Sequence, residues 1–161
     1  MGVSLGLLPS YFMRHGLLIA ALAVLCACGK SSPAPEGTNY KKIVLPGGET
    51  VYAEVLIRQQ DIMRGMMLRN ALAPDRGLLF VHVKQGKYAY WMYNVRVPLD
   101  IIWMDKDRRI VEISANTPPC QETNSKKCPQ FGGTREAMFV LEIAGGMAEK
   151  YGLAVDQVLS F

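Results

Sequence analysis

The sequence predicts a mainly β domain: a β-rich α+β fold, barrel-like or sandwich, with one or two short helices. Three observations lead there. Short apolar runs rich in Val, Ile, Phe, Tyr and Trp recur between turn signals across residues 40–161. Only two stretches change to helical spacing. Half of the 161 residues are hydrophobic, so one core can form, and no internal repeat divides the chain.

Turn residues separate the elements. "YKKIVLPGGETVYAEVLIR" reads as a hairpin, with a short strand over 43–45, a Pro46-Gly47-Gly48 turn and a longer strand over 51–58. In "QQDIMRGMMLRNAL" the period changes: Ile62, Met66 and Met63, Met67 suit one face of a helix over about 60–70, weakened by Gly65. Pro74-Asp75-Arg76-Gly77 is a turn. Strands are expected over 77–83, 88–92, 100–104 and 109–114, separated by Gln85-Gly86-Lys87, by a crossing at Val97-Pro98 and by Asp105-Lys106-Asp107. Pro98 lacks a donor and holds Val97 extended, which suits a crossing and not a central strand. A strand over 137–143 comes next, then "AGGMAEKYG" as a short helix closed by Gly152, and a final strand over 157–161.

The N-terminal part points to export. From Met13, a short basic start (Arg14) precedes an apolar run over 16–28 and then a Pro/Ser/Gly stretch. This is the layout of a secretory signal, and the run is too short to span a bilayer comfortably. Residues 1–27 are read as signal peptide, with Met13 a candidate start, and residues 28–39 as a lipidated cysteine and tether. Leu25-Cys26-Ala27-Cys28 resembles a bacterial lipobox, which implies a lipid on Cys28; plain cleavage after Ala27 is the alternative. The expected location is the cell envelope, lipid-anchored, on the periplasmic face of the outer membrane if the cell has two membranes. Cys120 and Cys128 then remain as an even pair in an oxidising space and predict a disulfide, worth on the order of 2.5 kcal/mol for so small a loop.

Charge excludes some classes. The net charge is +4, and removing residues 1–27 takes away Arg14 and no acid, leaving +3. The cations are scattered in singles and pairs, a solvated surface and not a phosphate track, so no nucleic-acid partner is expected. His82 is the one histidine beyond the signal, which leaves no His-based metal site and no Ser-His-Asp arrangement; it reads as an ordinary strand position. Met63, Met66, Met67 and Met92 offer soft ligands, but their spacing fits core packing better than copper or haem, so no metal or cofactor is expected.

Seven stretches in one order resemble the bacterial and archaeal family known as domain of unknown function 192. They are Met63-Arg64-Gly65-Met66-Met67-Leu68-Arg69, Gly77-Leu78-Leu79-Phe80-Val81, Tyr90-Trp91-Met92-Tyr93-Asn94, Val97-Pro98-Leu99-Asp100-Ile101, Arg109-Ile110-Val111, Thr117-Pro118-Pro119-Cys120 and Val140-Leu141-Glu142-Ile143-Ala144-Gly145-Gly146. The resemblance runs over residues 51–161 and implies a small, mainly β, barrel-like fold. It supplies no reaction. Val95 stands where the family commonly has Thr, and His82 where it commonly has Phe.

The candidate site residues are Arg64, Arg69, Trp91, Asn94, Asp100 and Glu142. Asp100 and Glu142 are carboxylates among apolar neighbours, where desolvation raises a pKa toward general-acid use. Pairing with Arg64 or Arg69, or plain alternation onto a wet face, are the structural readings. Arg64 and Arg69 are five apart on the expected helix, so only one is expected to face a shared site. Asn94 either fixes its turn or contacts a ligand. The leading functional reading is a non-catalytic envelope module that binds a small polar ligand or an envelope component. A hydrolase or isomerase using Asp100 and Glu142 is the alternative, and requires both in one cleft. A structural or assembly accessory is the third.

Overall fold

The computed structural model describes Met1, Gly2 and residues 39–161. The signal, the Cys28 lipidation site and most of the tether lie outside the described residues. The chain divides into Met1–Lys30 and Ser31–Phe161, and residues 39–161 belong to the second unit.

Eight strands and two short helices build that unit: β1 (Tyr40–Val44), β2 (Thr50–Leu56), α1 (Gln59–Arg64), β3 (Arg76–Gly86), β4 (Tyr90–Trp91), β5 (Leu99–Met104), β6 (Ile110–Thr117), β7 (Gln130–Phe131), β8 (Ala137–Ala144) and α2 (Met147–Lys150). Six strands form one sheet in the order β1-β2-β3-β8-β5-β6, and β4 pairs with β7 in a separate ribbon. The fold is mainly β, as the apolar runs predict. All neighbours are antiparallel except β2 and β3, which are parallel and joined by a crossover that carries α1.

The sheet is buried on both faces, and alternation sorts its side chains between two cores. Leu99, Ile101 and Trp103 of β5 join Leu78, Phe80 and Val140 in one cluster; Ile102 and Met104 join Leu79, Leu141 and Ile143 in the other. Every residue of β5 is buried, which explains a nearly continuous apolar run there. The helix α2 and the C-terminal residues Leu153 and Leu159 cover the second core. Residues of the α1 segment, the β4–β7 ribbon and the segment with Met92 and Val95 cover the first.

The sheet is not closed into a barrel, but one segment links its two edges. The amide of Val44 on β1 donates to Ser160 O (2.9 Å), and that of Ile110 on β6 donates to Gln157 O (2.8 Å). This is what becomes of the expected final strand: isolated bridges, Val44 with Ser160 and Arg109 with Val158, not a ladder.

Two further elements depart from expectation. The helix stops at Arg64, not at residue 70, because Gly65 turns to φ 43°, where an added Cβ would come within 3.1 Å of the Phe80 ring, and Leu68 at φ 63° continues the turn. The strand expected over 88–92 shrinks to Tyr90–Trp91 and pairs with β7, which too few residues mark in the sequence. Gly132 comes after β7 at φ 63° directly over the Trp103 indole, where a Cβ would collide with the ring. The helix α2 and its closure do match: Gly152, at φ 61°, donates to Glu149 O (2.9 Å).

Candidate functional site

Glu142 lies in the middle of β8, opposite Leu78 of β3 on one side and Ile101 of β5 on the other. Both neighbours belong to the core under the α1 segment, so the Glu142 side chain projects into that core. It is only 4% exposed, and its Oε2 has no hydrogen-bond partner. Desolvation pushes its pKa up to about 8, against the opposing pull of the Arg69 charge.

Above Glu142 opens a cleft of about 330 Å³. Its walls are mainly apolar: Ile62, the three methionines of the 63–67 turn, Phe80, Tyr88, Tyr90 and Trp91. The rings are interlocked. Tyr90 stands edge-on to Phe80 (5.1 Å between centroids) and to Trp103 (5.8 Å). Its hydroxyl lies 3.2 Å from His82 Nε2, and the His82 ring stacks on Tyr88 at 3.5 Å. Burial lowers the His82 pKa. Burial, then the Glu142 charge, then Tyr88, raise that of Tyr90.

A second, more open concavity adjoins the first, and Met63, Arg64, Met67 and Trp91 border both. Arg69 and Asn94 line the open part. Arg69 is paired with Glu54 of β2 (Nη1 to Oε2, 2.7 Å), not with Glu142 or Asp100. Arg64 has no ion-pair partner among the described residues. Because the helix ends at Arg64, the five-residue spacing does not force the two arginines apart, and both border the groove. Asn94 adopts φ 55°, which Asn tolerates better than most residues, and its carbonyl accepts from Leu68 (2.9 Å). It therefore shapes its turn and also lines the groove.

Asp100 is elsewhere. One residue out of phase, it pairs across the ladder with Ile143 and shares that residue's face of the sheet. It is fully buried and fully employed: Oδ1 accepts from the amides of Asn116 (2.5 Å) and Gly146 (3.1 Å), and Oδ2 from Ala148 (2.6 Å). It ties α2 to the sheet. The convergence of Asp100 and Glu142 that the hydrolase or isomerase reading requires does not occur, so a two-carboxylate mechanism has no cleft to act in, and Asp100 leaves the candidate set.

Residues 42–161 match the family DUF192, described as Uncharacterized ACR. The chain belongs to the DUF192 family. Two solved structures share the fold. A protein of unknown function from Novosphingobium aromaticivorans DSM 12444 is 26% identical, with a TM-score of 0.67 over 81% of this chain and 94% of that one. A proposed transcription regulator from Sinorhizobium meliloti 1021 is 23% identical, with a TM-score of 0.68 over 79% and 97%, a likeness of fold alone. Among curated proteins none matches.

Within this DUF192 domain, the residues that sequence reasoning passed over are His82, Tyr88 and Tyr90. His82 reads as an ordinary strand position, Tyr88 falls in no motif, and Tyr90 opens a family stretch without a role of its own. A signal did exist: Phe80 and His82 alternate onto the same face as Leu78, which the ladder sets opposite Glu142. Cys120 and Cys128 form the expected disulfide, with 5.7 Å between α-carbons. The Cys120 amide donates to Met92 O (3.1 Å), so the bridge steadies the segment just after Trp91.

Proposed function

We propose that this DUF192 domain is a ligand-binding module of the cell envelope, exported and anchored through a lipid on Cys28, and that it binds a small molecule in the Glu142 cleft. One observation carries the reading: Glu142 lines a cleft, and one oxygen of its buried carboxyl group has no partner. A buried polar group left unpaired costs about 1–3 kcal/mol, more if charged. A ligand that completes the group would account for it, and an apolar pocket with a few convergent polar groups is the usual form of a small-molecule site. The interlocked rings hold the walls in place before binding, which lowers the ordering cost on association.

The test is a fragment screen by crystal soaking and NMR, with fragments of all charge classes. Occupancy over Glu142, weakened by Trp91→Ala, supports the reading. If no fragment of any class occupies the cleft, or if all bind elsewhere, the reading fails. For the anchor, metabolic labelling with a fatty acid is expected to mark the protein, and Cys28→Ser to abolish the label and release the domain from membranes.

A further inference from the structure

We infer that the ligand is a small zwitterion, with an ammonium group seated on Glu142 at the inner end of the cleft and an anionic group on Arg64 at the outer end. This rests on the proposed binding role and names the class of molecule that the cleft takes.

The charges are the first argument. The titratable and charged groups that line the cleft with Glu142 are Tyr90 from β4, His82 from β3, Tyr88 between them and Arg64 from α1, and the Arg69 charge acts on Glu142 from outside that lining. None of them supplies Oε2 with a hydrogen bond. Arg69 is held by Glu54. Arg64 lines the same cleft as Glu142 and pairs with no acid among the described residues. One cleft thus holds one uncommitted anion-forming group, buried, and one uncommitted cation, at the rim. A ligand with the opposite two charges satisfies both at once. A simple amine would leave Arg64 unmatched and repelling, and a simple acid would be set against Glu142.

The walls are the second argument. Phe80, Tyr88, Tyr90 and Trp91 all line the cleft, and aromatic faces attract an ammonium group while offering nothing to a carboxylate. The Arg64 guanidinium suits a planar or tetrahedral anion, which it grips with two donors. A volume of about 330 Å³ sits at the small end for ligand sites and fits a molecule of amino-acid size.

Proton balance gives the inference a signature. The empty cleft holds Glu142 protonated at neutral pH, because burial pushes it up to about 8. An ammonium group takes the carboxylate form, so binding releases that proton to solvent. Affinity then rises by roughly tenfold per pH unit between about pH 6 and 8, and falls again at higher pH as the ligand's own ammonium loses its proton.

The test uses the full-length protein in detergent and four probes of one shape: phenylalanine, phenethylamine, 3-phenylpropionate and 3-phenylpropanol. Binding is read by calorimetry in two buffers of different ionisation heat and by NMR shifts of Trp91 and Tyr90. Phenylalanine is expected to bind at least tenfold more tightly than the other three, with proton release. Glu142→Gln should erase its advantage over 3-phenylpropionate, and Arg64→Gln its advantage over phenethylamine. If 3-phenylpropanol or 3-phenylpropionate binds the cleft as well as phenylalanine does, the zwitterion inference is wrong and the binding site stands. If none of the four moves the cleft resonances, the inference is also wrong, and the fragment screen alone decides whether the cleft binds anything. The probe series on the unmodified protein keeps the test sound if either variant folds poorly.

Discussion

Asp100 and Glu142 occupy adjacent antiparallel strands, one residue out of register, and both are buried. Sequence context treats them alike, as single acids in apolar strands. The structure gives Asp100 three backbone amides and gives Glu142 Oε2 none. The difference is one step of strand alternation. On one face the end of β6 and the start of α2 turn their amides inward. On the other, aromatic and methionine side chains turn inward and bring no donor to the oxygen. A buried acid is therefore a fastener or a binding group according to what the opposite layer presents, and that layer comes from distant parts of the chain.

The largest effect that sharpens this contrast is expected at Asp100. Asp100→Ala leaves three inward amides without an acceptor, and should cost about 3–5 kcal/mol in chemical unfolding at neutral pH. A loss below about 1 kcal/mol would mean that the amides find other partners and that Asp100 is no fastener. Asp100→Asn keeps one acceptor oxygen and should fall between.

Glu142 should behave in the opposite sense. Its folded pKa, about 8, lies above the ordinary 4.5, so protonation favours the fold. That contribution is fully present below about pH 4.5 and is lost as pH rises through about 8. Between pH 5 and 9 the unmodified protein should lose roughly 2–4 kcal/mol relative to Glu142→Gln, which stays uncharged throughout. Parallel stability curves for the two proteins would remove Glu142 as the titrating group.

The third effect is smaller and confined to one face. Replacing both Cys120 and Cys128 by Ser should cost about 2.5 kcal/mol. Cys120 packs with the core under the cleft and bonds Met92, so amide exchange should quicken at Cys120 and around Trp91. The Ala148 amide, on Asp100, should change far less. Equal quickening on both faces would show that the disulfide supports the whole domain and not the cleft wall.

Much of the fold was legible because strand signals are local. Val97-Pro98 as a crossing, the strands around Leu79, Ile102 and Leu141, and the Gly152 closure all stem from residues within a few positions of one another. The 130–131 strand was not legible, since two residues carry no period and its partner lies some forty residues earlier. At the site, five of the six candidate residues line two adjoining concavities: Glu142 the cleft, Arg69 and Asn94 the open part, and Arg64 and Trp91 both. His82 was read as an ordinary strand position and Tyr90 was given no role, because their hydrogen bond joins a strand to a separate ribbon. The Asp100 assignment failed because the donors that claim it, at 116, 146 and 148, are backbone groups and leave no mark on residue type.

The link between the sheet edges bears on how the molecule opens. β1 and β6 are the two outermost strands of the sheet, and residues 157–160 are bonded to both. Each edge alone would fray on its own timescale. Joined through one short segment, they share an opening event, so the amides of Val44 and Ile110 should exchange with solvent at matched rates and free energies despite lying at opposite margins. The same segment withholds two strand borders from pairing with other chains, so a lesion at Leu159, which anchors the segment in the core, would surface first as self-association and only later as unfolding.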